Sequence, residues 1–325
     1  MLYNTDIISN FALFVNSDTD VNEVDLTKWS EHKKLSEKMA QKMLKAGFIS
    51  RGVRMSNCSD TMSFSICDDC GKARIHHASL CRDKLCPTCM WRLAKQRYRC
   101  MSDILKIAAA DEPNAVYSFM TLTVPNCKVE DLSTTLDMMS EAWKRFIQRV
   151  AFKESVKGYA RSLEITYNAE KREMHPHYHF IVMFDCHEIA EAYETKLLSD
   201  WLLVWRGAKA NIKAQDIRRI CSYDIGTEQD VAKAALEVYK YSVKETDLIN
   251  MPLGIFKEFV IAFKGRRVTA FGGLFKEYKK IVGIDTENVE DINDNGVCGF
   301  CCSKRCHDIV VRWSGLTGTY QKVVI

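Results

Sequence analysis

Three groups of side chains in this 325-residue chain have the types and spacings that chemistry needs. The first is the run His175-Pro-His177-Tyr-His179-Phe-Ile-Val-Met-Phe184. The chain has only eight histidines, and three of them alternate within these five positions. In a strand, residues two apart share a face, so His177 and His179 project side by side while Tyr178 and Phe180 face the other way. Two adjacent imidazoles make half of a divalent-metal site. His175 has matching parity, but Pro176 is expected to interrupt the ladder and leave His175 at the strand's start. A hard cation also wants oxygen. In the preceding segment, Ser162-Leu-Glu-Ile-Thr-Tyr167, alternation puts Glu164 and Thr166 on one face. If the two segments form a hairpin, Glu164 faces the histidines; otherwise it is an exposed residue in a cross-strand ion pair.

The second group is Glu237-Val-Tyr-Lys-Tyr-Ser-Val-Lys-Glu245. On a helix, Glu237, Tyr241 and Lys244 line up at spacings of four and three. Tyr239 points about 200° away from Tyr241. A surface ion pair beside a partly buried tyrosine explains the row as well as a reactive phenol does. A phenol ionises near pH 10, roughly, and needs help to act as a nucleophile. Metal held by His177 and His179 offers that help, and Glu237 could act as general base for a second, hydrolytic step.

The third group is the cysteines, fourteen in all. Cys67-x-x-Cys70 and Cys86-x-x-Cys89 are spaced as in a four-cysteine zinc ribbon, a closed site able to fold a short segment. Cys58 and Cys81 are spare, and Cys81 could replace one ligand. Cys298, Cys301, Cys302, Cys306 and His307 form either a second zinc site or a set of free thiols.

These residues need elements to position them. Hydrophobic periodicity predicts helices over Leu26–Ala46, Trp91–Ala110, Glu130–Lys153, Glu188–Trp205 and Glu228–Lys244. Strands are expected at Val116–Val124, Ala160–Tyr167 and His177–Phe184. That order predicts an α+β fold with helices against a mainly antiparallel sheet. Four regions follow: a helical, variable segment (1–60), a zinc ribbon with a basic helix (61–105), a catalytic domain (106–250) and a C-terminal region with the second cysteine cluster (251–325).

Composition is that of a globular protein, 47% hydrophobic and 27% charged with net charge +4. The global charge does not demand a nucleic-acid partner. Locally, Lys72, Arg74, Arg82, Lys84, Arg92, Lys95, Arg97 and Arg99 face only Asp83, which suits phosphate contact or a solvated basic face. No apolar run is long enough to span a membrane and no secretory signal opens the chain. The clustered cysteines therefore suggest metal in a reducing cytoplasm rather than disulfides.

Taken in order, Val116–Asn126 (ending MTLTVPN), His175–Phe184 (HPHYHFIVMF) and Glu237–Asp247 (EVYKYSVKETD) resemble the three motifs of plasmid rolling-circle replication initiators. These belong to the HUH endonucleases, and the resemblance is to the branch with one catalytic tyrosine and a nearby glutamate. The segment Cys81-Arg-Asp-Lys-Leu-Cys-Pro-Thr-Cys-Met-Trp-Arg92 is similar to that family's N-terminal region. The resemblance covers about residues 60 to 250 and implies an HUH-type domain. It implies Tyr241 as the nucleophile that nicks one strand at a plasmid double-strand origin, and Glu237 as the residue that activates water at termination. It implies His177 and His179 as ligands of Mg²⁺ or Mn²⁺, with Glu164 as the oxygen ligand suggested by strand parity. Host helicase and DNA polymerase would be the partners. Glu245-Thr246-Asp247 departs conservatively from the family's Asp-Ser-Asp. Rival readings are a transposase or relaxase with the same chemistry, a histidine-triad nucleotide hydrolase, and a zinc-dependent DNA-binding regulator.

Overall fold

The computed structural model describes residues 24–205, 217–219, 243–290, 297–298 and 300–323. In chain order the described elements begin α1 (Thr27–Lys45), α2 (Ile49–Ser56), β1 (Thr61–Cys67), β2 (Ala73–Ala78), α3 (Pro87–Asp111), β3 (Val116–Thr123) and β4 (Cys127–Lys128). They continue α4 (Leu132–Phe146), α5 (Val150–Ser155), β5 (Gly158–Asn168), β6 (Glu173–Phe184), α6 (His187–Val204) and β7 (Ile217–Arg219). The rest are α7 (Glu245–Asn250), α8 (Leu253–Phe263), β8 (Thr269–Gly273), α9 (Leu274–Val282), β9 (Cys306–Ser314) and β10 (Thr319–Val323). The chain divides into two compact units, residues 1–92 with 288–325, and residues 93–287. The 251–325 segment is thus shared between units, and the boundary at 92/93 falls within α3.

In the first unit the sheet order is β10-β9-β1-β2, all antiparallel, so strands from both ends of the sequence are neighbours. Helix α1 buries one stripe, Trp29, His32, Lys33, Ser36, Met39, Ala40 and Met43, at the three- and four-residue spacing of a helix face. It ends at Gly47, whose φ of +89° lets Gly47 N–H reach Leu44 O (3.0 Å) and Phe48 N–H reach Met43 O (2.9 Å). Lys33 is fully buried, but its ammonium donates to Ser56 O (2.6 Å), Cys58 O (2.9 Å) and Asp60. Such pairing is what permits a buried charge.

In the second unit a sheet of order β7-β3-β6-β5-β8 places the histidine strand at its centre, with β4 also pairing β6. Every described pairing is antiparallel. The α+β arrangement expected from the sequence is the one observed. One face packs Trp143 of α4 against Tyr178 and Phe180, edge-on to Phe180 at 5.5 Å, while Phe146 of the same helix meets Trp201 of α6. The guanidinium of buried Arg161 lies 3.9 Å from the Tyr178 ring centroid. On the other face, Tyr117, Phe119, Ala160, Ile181 and Met183 meet Cys100, Met101, Ile104, Leu105 and Ala108 of α3 and Phe275 and Tyr278 of α9. Thr121, Thr123, Glu164, His177 and His179 continue this second face by strand parity. At the β8–α9 junction Gly273 has φ +56°, and an added Cβ would collide with the Lys157 carbonyl.

Three expectations are corrected. The helix expected over Glu130–Lys153 is two helices, because Arg149 adopts an extended conformation (φ −61°, ψ 140°) and binds Asp200 with Nη2 (2.9 Å) and Nε (3.2 Å). Strand β6 begins at Glu173, so Pro176 lies inside it opposite Ile165. The ladder to β3 stops at His177 and the one to β4 resumes at Met174, so on that flank the missing proline N–H costs nothing. Of the helix expected over Glu228–Lys244, residues 228–242 lie outside the described residues, and at its end Lys244 is not helical. It is extended (φ −67°, ψ 128°) and caps the separate helix α7. Within the described residues no helix is long and apolar enough to cross a membrane.

Candidate metal centres

Strand β6 owes its central place to its apolar run Phe180–Phe184, which is buried throughout. Its polar half carries the histidines. Register sets His177 opposite Glu164 of β5 and Thr123 of β3, and His179 opposite Ser162 and Thr121. Directly opposed residues of an antiparallel pair share a face, so the hairpin delivers Glu164 to the imidazoles. Glu164 Oε2 lies 3.0 Å from His177 Nε2 and 2.7 Å from His179 Nε2. The two rings are nearly perpendicular, 4.5 Å between centroids.

The remaining ring nitrogens are also occupied. His179 Nδ1 is 2.9 Å from Thr121 Oγ1, and His177 Nδ1 is 3.1 Å from the His175 carbonyl oxygen. The carbonyl can only accept, so Nδ1 of His177 is the protonated nitrogen when Nε2 serves as a ligand; Thr121 can accept from His179 in the same way. Such outer partners fix tautomer and ring orientation in histidine metal sites. His179 also stacks on Phe119 at 5.4 Å. Burial pushes the Glu164 carboxyl up, but hydrogen bonds with His177 and His179 and their charge outweigh it, holding the group well below the usual carboxylate range. Burial, then the charge of His177, depress the His175 imidazole against the pull of Glu164. His175 stands beside the group of three convergent donors and not within it.

These residues fit a hard divalent cation. Two ligands about 2.1 Å from an octahedral ion, at right angles, stand roughly 3 Å apart, which matches the observed separations. Two imidazoles and one carboxylate leave other coordination positions for substrate oxygens or water.

Tyr241, Tyr239 and Glu237 lie outside the described residues. Lys244 is described, and it is exposed.

The cysteines depart from the expected ribbon. Cys67, Cys70, Cys86 and Cys89 do not gather into one set. Cys86 and Cys89 join Cys58 and Cys81, whereas Cys67 and Cys70 join Cys298 and Cys301. The reason is strand pairing: β1 ends at Cys67 opposite Cys306 of β9, which brings the C-terminal knuckle to Cys67 and Cys70. In the first set Cys89 Sγ is 3.6 Å from Cys58 Sγ and 3.7 Å from Cys81 Sγ. In the second, Cys67–Cys301 and Cys70–Cys298 are each 3.5 Å apart between sulfurs. Backbone N–H groups of Cys301 and Phe300 pull the Cys298 thiol down to about 6, and those of Cys70 and Asp69 likewise lower Cys67 despite its burial. Both clusters could hold a metal such as zinc. Cys302, Cys306 and His307 belong to neither, and His307 pairs with Asp68 at 2.6 Å.

The basic segment is also thinned. Arg97 is buried with Nε donating to Thr286 O (2.6 Å), and Arg74 donates to Val297 O, whereas Arg82 and Arg99 are exposed. Thr121 is a residue of the candidate site that the sequence alone did not single out. Its signal was present, since alternation in MTLTV puts Thr121 and Thr123 on one face.

A family described as "Replication protein" matches residues 72–320. Among similar proteins are a "Protein rep" from Streptococcus pneumoniae serotype 2, 28% identical with 81% of each chain covered. Another, from Bacillus amyloliquefaciens, is 30% identical over 70% of this chain and 71% of its own. A third, from Staphylococcus aureus, is 26% identical over 67% of this chain and 95% of its own. No solved structure matches the chain. The chain belongs to this replication-protein family, as the resemblance to plasmid replication initiators implied.

Proposed function

We propose that this protein is a site-specific DNA endonuclease and strand transferase of HUH type that starts plasmid rolling-circle replication. The observation that carries the reading is the convergence of His177 Nε2, His179 Nε2 and Glu164 Oε2 on the central strand of an antiparallel sheet, in a replication-family chain. Mg²⁺ or Mn²⁺ bound there would polarise the scissile phosphodiester and offset its developing charge. Thr121 and the His175 carbonyl hold the two imidazoles in the ligand orientation.

Tyr241 is the nucleophile. Its oxygen, having lost its proton, bonds to phosphorus as the bond from phosphorus to the 3′ oxygen breaks. The 3′ oxygen takes up a proton and leaves as the hydroxyl that primes synthesis, while the 5′ phosphate stays on the tyrosine. Glu237 deprotonates water for the later hydrolysis that ends a round. Lys244, a compact exposed cation three residues from Tyr241, pairs with backbone phosphate near the nick. The substrate is the plasmid double-strand origin, reached in the cytoplasm and handed on to host helicase and polymerase.

The test is incubation of the whole protein with a single-stranded origin oligonucleotide and Mn²⁺, followed by a denaturing gel. A shortened strand with a free 3′ hydroxyl and a DNA-linked protein band are expected, both lost with EDTA. Nucleotide hydrolysis without an adduct would point instead to a histidine-triad hydrolase, and binding without cleavage to a regulator. A transposase or relaxase would give the adduct but on a different DNA.

A further inference from the structure

We propose that the first unit holds two structural zinc ions, one on Cys58, Cys81, Cys86 and Cys89, the other on Cys67, Cys70, Cys298 and Cys301. The second ion clasps the two ends of the sequence into one unit.

Four thiolates around zinc at about 2.3 Å lie roughly 3.8 Å apart at the corners of a tetrahedron. The sulfur pairs observed at 3.5 to 3.7 Å are close to that spacing. A disulfide needs about 2.05 Å, and all eight cysteines are free. All-sulfur tetrahedra select zinc or iron over hard cations. In the clasp, the first cysteine of each CxxC, Cys67 and Cys298, accepts backbone N–H groups from the two residues that end its own knuckle. In the other set, Cys81 N–H lies 3.4 Å from Cys58 Sγ and the Ser36 hydroxyl 3.4 Å from Cys86 Sγ.

The two sites differ in exposure and in the chain they join. Cys58, Cys86 and Cys89 are buried, and their ligands are close in sequence. The clasp includes exposed Cys301 and bridges Cys70 to Cys298, so the whole second unit lies in sequence between its halves. Closing so long a loop carries an entropic cost, which the clasp would help β1–β9 pairing and side-chain contacts such as His307–Asp68 and Trp313–Glu37 to offset. The clasp should therefore stabilise β9 and β10, and the buried site the packing around α1, α2 and the start of α3.

The test uses the full chain purified without chelators. Plasma mass spectrometry should find two zinc per chain in the wild type, one in Cys301→Ser, one in Cys81→Ser, and two in Cys302→Ser. Amide exchange in residues 306–323 should quicken in Cys301→Ser and stay unchanged in Cys302→Ser. Because a ligand variant can misfold, the wild type is also alkylated under native conditions. Cys302 should react at once, and the eight ligands only after zinc is ejected, with Cys301 ahead of Cys86. One zinc per chain, iron in place of zinc, full zinc in Cys301→Ser, or Cys81 and Cys301 alkylated as fast as Cys302 would overturn the assignment.

Discussion

Glu164 Oε2 sits within hydrogen-bond distance of both His177 Nε2 and His179 Nε2, so the three side chains form one candidate metal-binding group. Replacing His177 or His179 with alanine should reduce nicking by more than about 100-fold, because even outer-shell partners of metal ligands commonly cost 10–100-fold. Duplex origin binding, measured by fluorescence anisotropy, should persist, since phosphate contacts carry most DNA affinity. Loss of both in a folded variant would contradict this division. On the tyrosine segment, Glu237→Ala should leave initiation intact and slow the closing hydrolysis by roughly 10²–10⁴-fold, the worth of a general base. A plasmid with two origins would then yield over-long multimeric products. Nicking abolished as fully as by Tyr241→Phe would make Glu237 a ligand or a structural partner instead.

The histidine strand and its hairpin partner were legible because strand parity is a local rule. Alternation put His177 beside His179 and Glu164 on a face with Thr166, and the hairpin on which its facing the histidines depended is the pairing observed. Pro176 was misread because its tolerance depends on β3 and β4 leaving a gap beside it. The break at Arg149 was hidden for a similar reason, since its partner Asp200 lies 51 residues further on. Thr121, on β3, turns this register into a prediction. Its hydroxyl lies 2.9 Å from His179 Nδ1 and its side chain is largely buried. Thr121→Val keeps the shape and removes the hydroxyl, so Mn²⁺-dependent nicking should need about 10–100-fold more metal. Unchanged Mn²⁺ dependence would show that His179 is oriented by packing alone. On the opposite face, Trp143→Ala should cost about 3–5 kcal/mol, the usual range for a buried tryptophan, read as a lowered denaturation midpoint.

The cysteine partition was not legible. Each CxxC supplies half a site, and choosing the other half requires knowing that β1 pairs with β9, about 240 residues away in sequence. The nearest spacing, Cys67–Cys70 with Cys86–Cys89, was the reasonable choice and the wrong one. The same long-range pairing explains why the C-terminal segment divides between units. Truncation after Glu287 removes β9, β10 and two clasp ligands. It should strip one zinc and leave β1 and β2 without their partner sheet, seen as aggregation or rapid proteolysis of residues 61–78. A truncated chain keeping two zinc ions and a protease-resistant first unit would refute that dependence. Brief EDTA treatment should separate the two kinds of metal. Nicking should stop and return with Mn²⁺, while zinc in the buried thiolate site is retained.

The central claim, that the histidine centre serves a tyrosine nucleophile, is tested most directly by locating the DNA-linked residue. After nicking in Mn²⁺, nuclease trimming and trypsin, cleavage at Lys233, Lys240 and Lys244 separates Tyr239 and Tyr241 into different peptides. Peptide mass spectrometry should find the nucleotide on Tyr241, in the fragment from Tyr241 to Lys244. A nucleotide on Tyr239, on a histidine or on no residue at all would contradict the account.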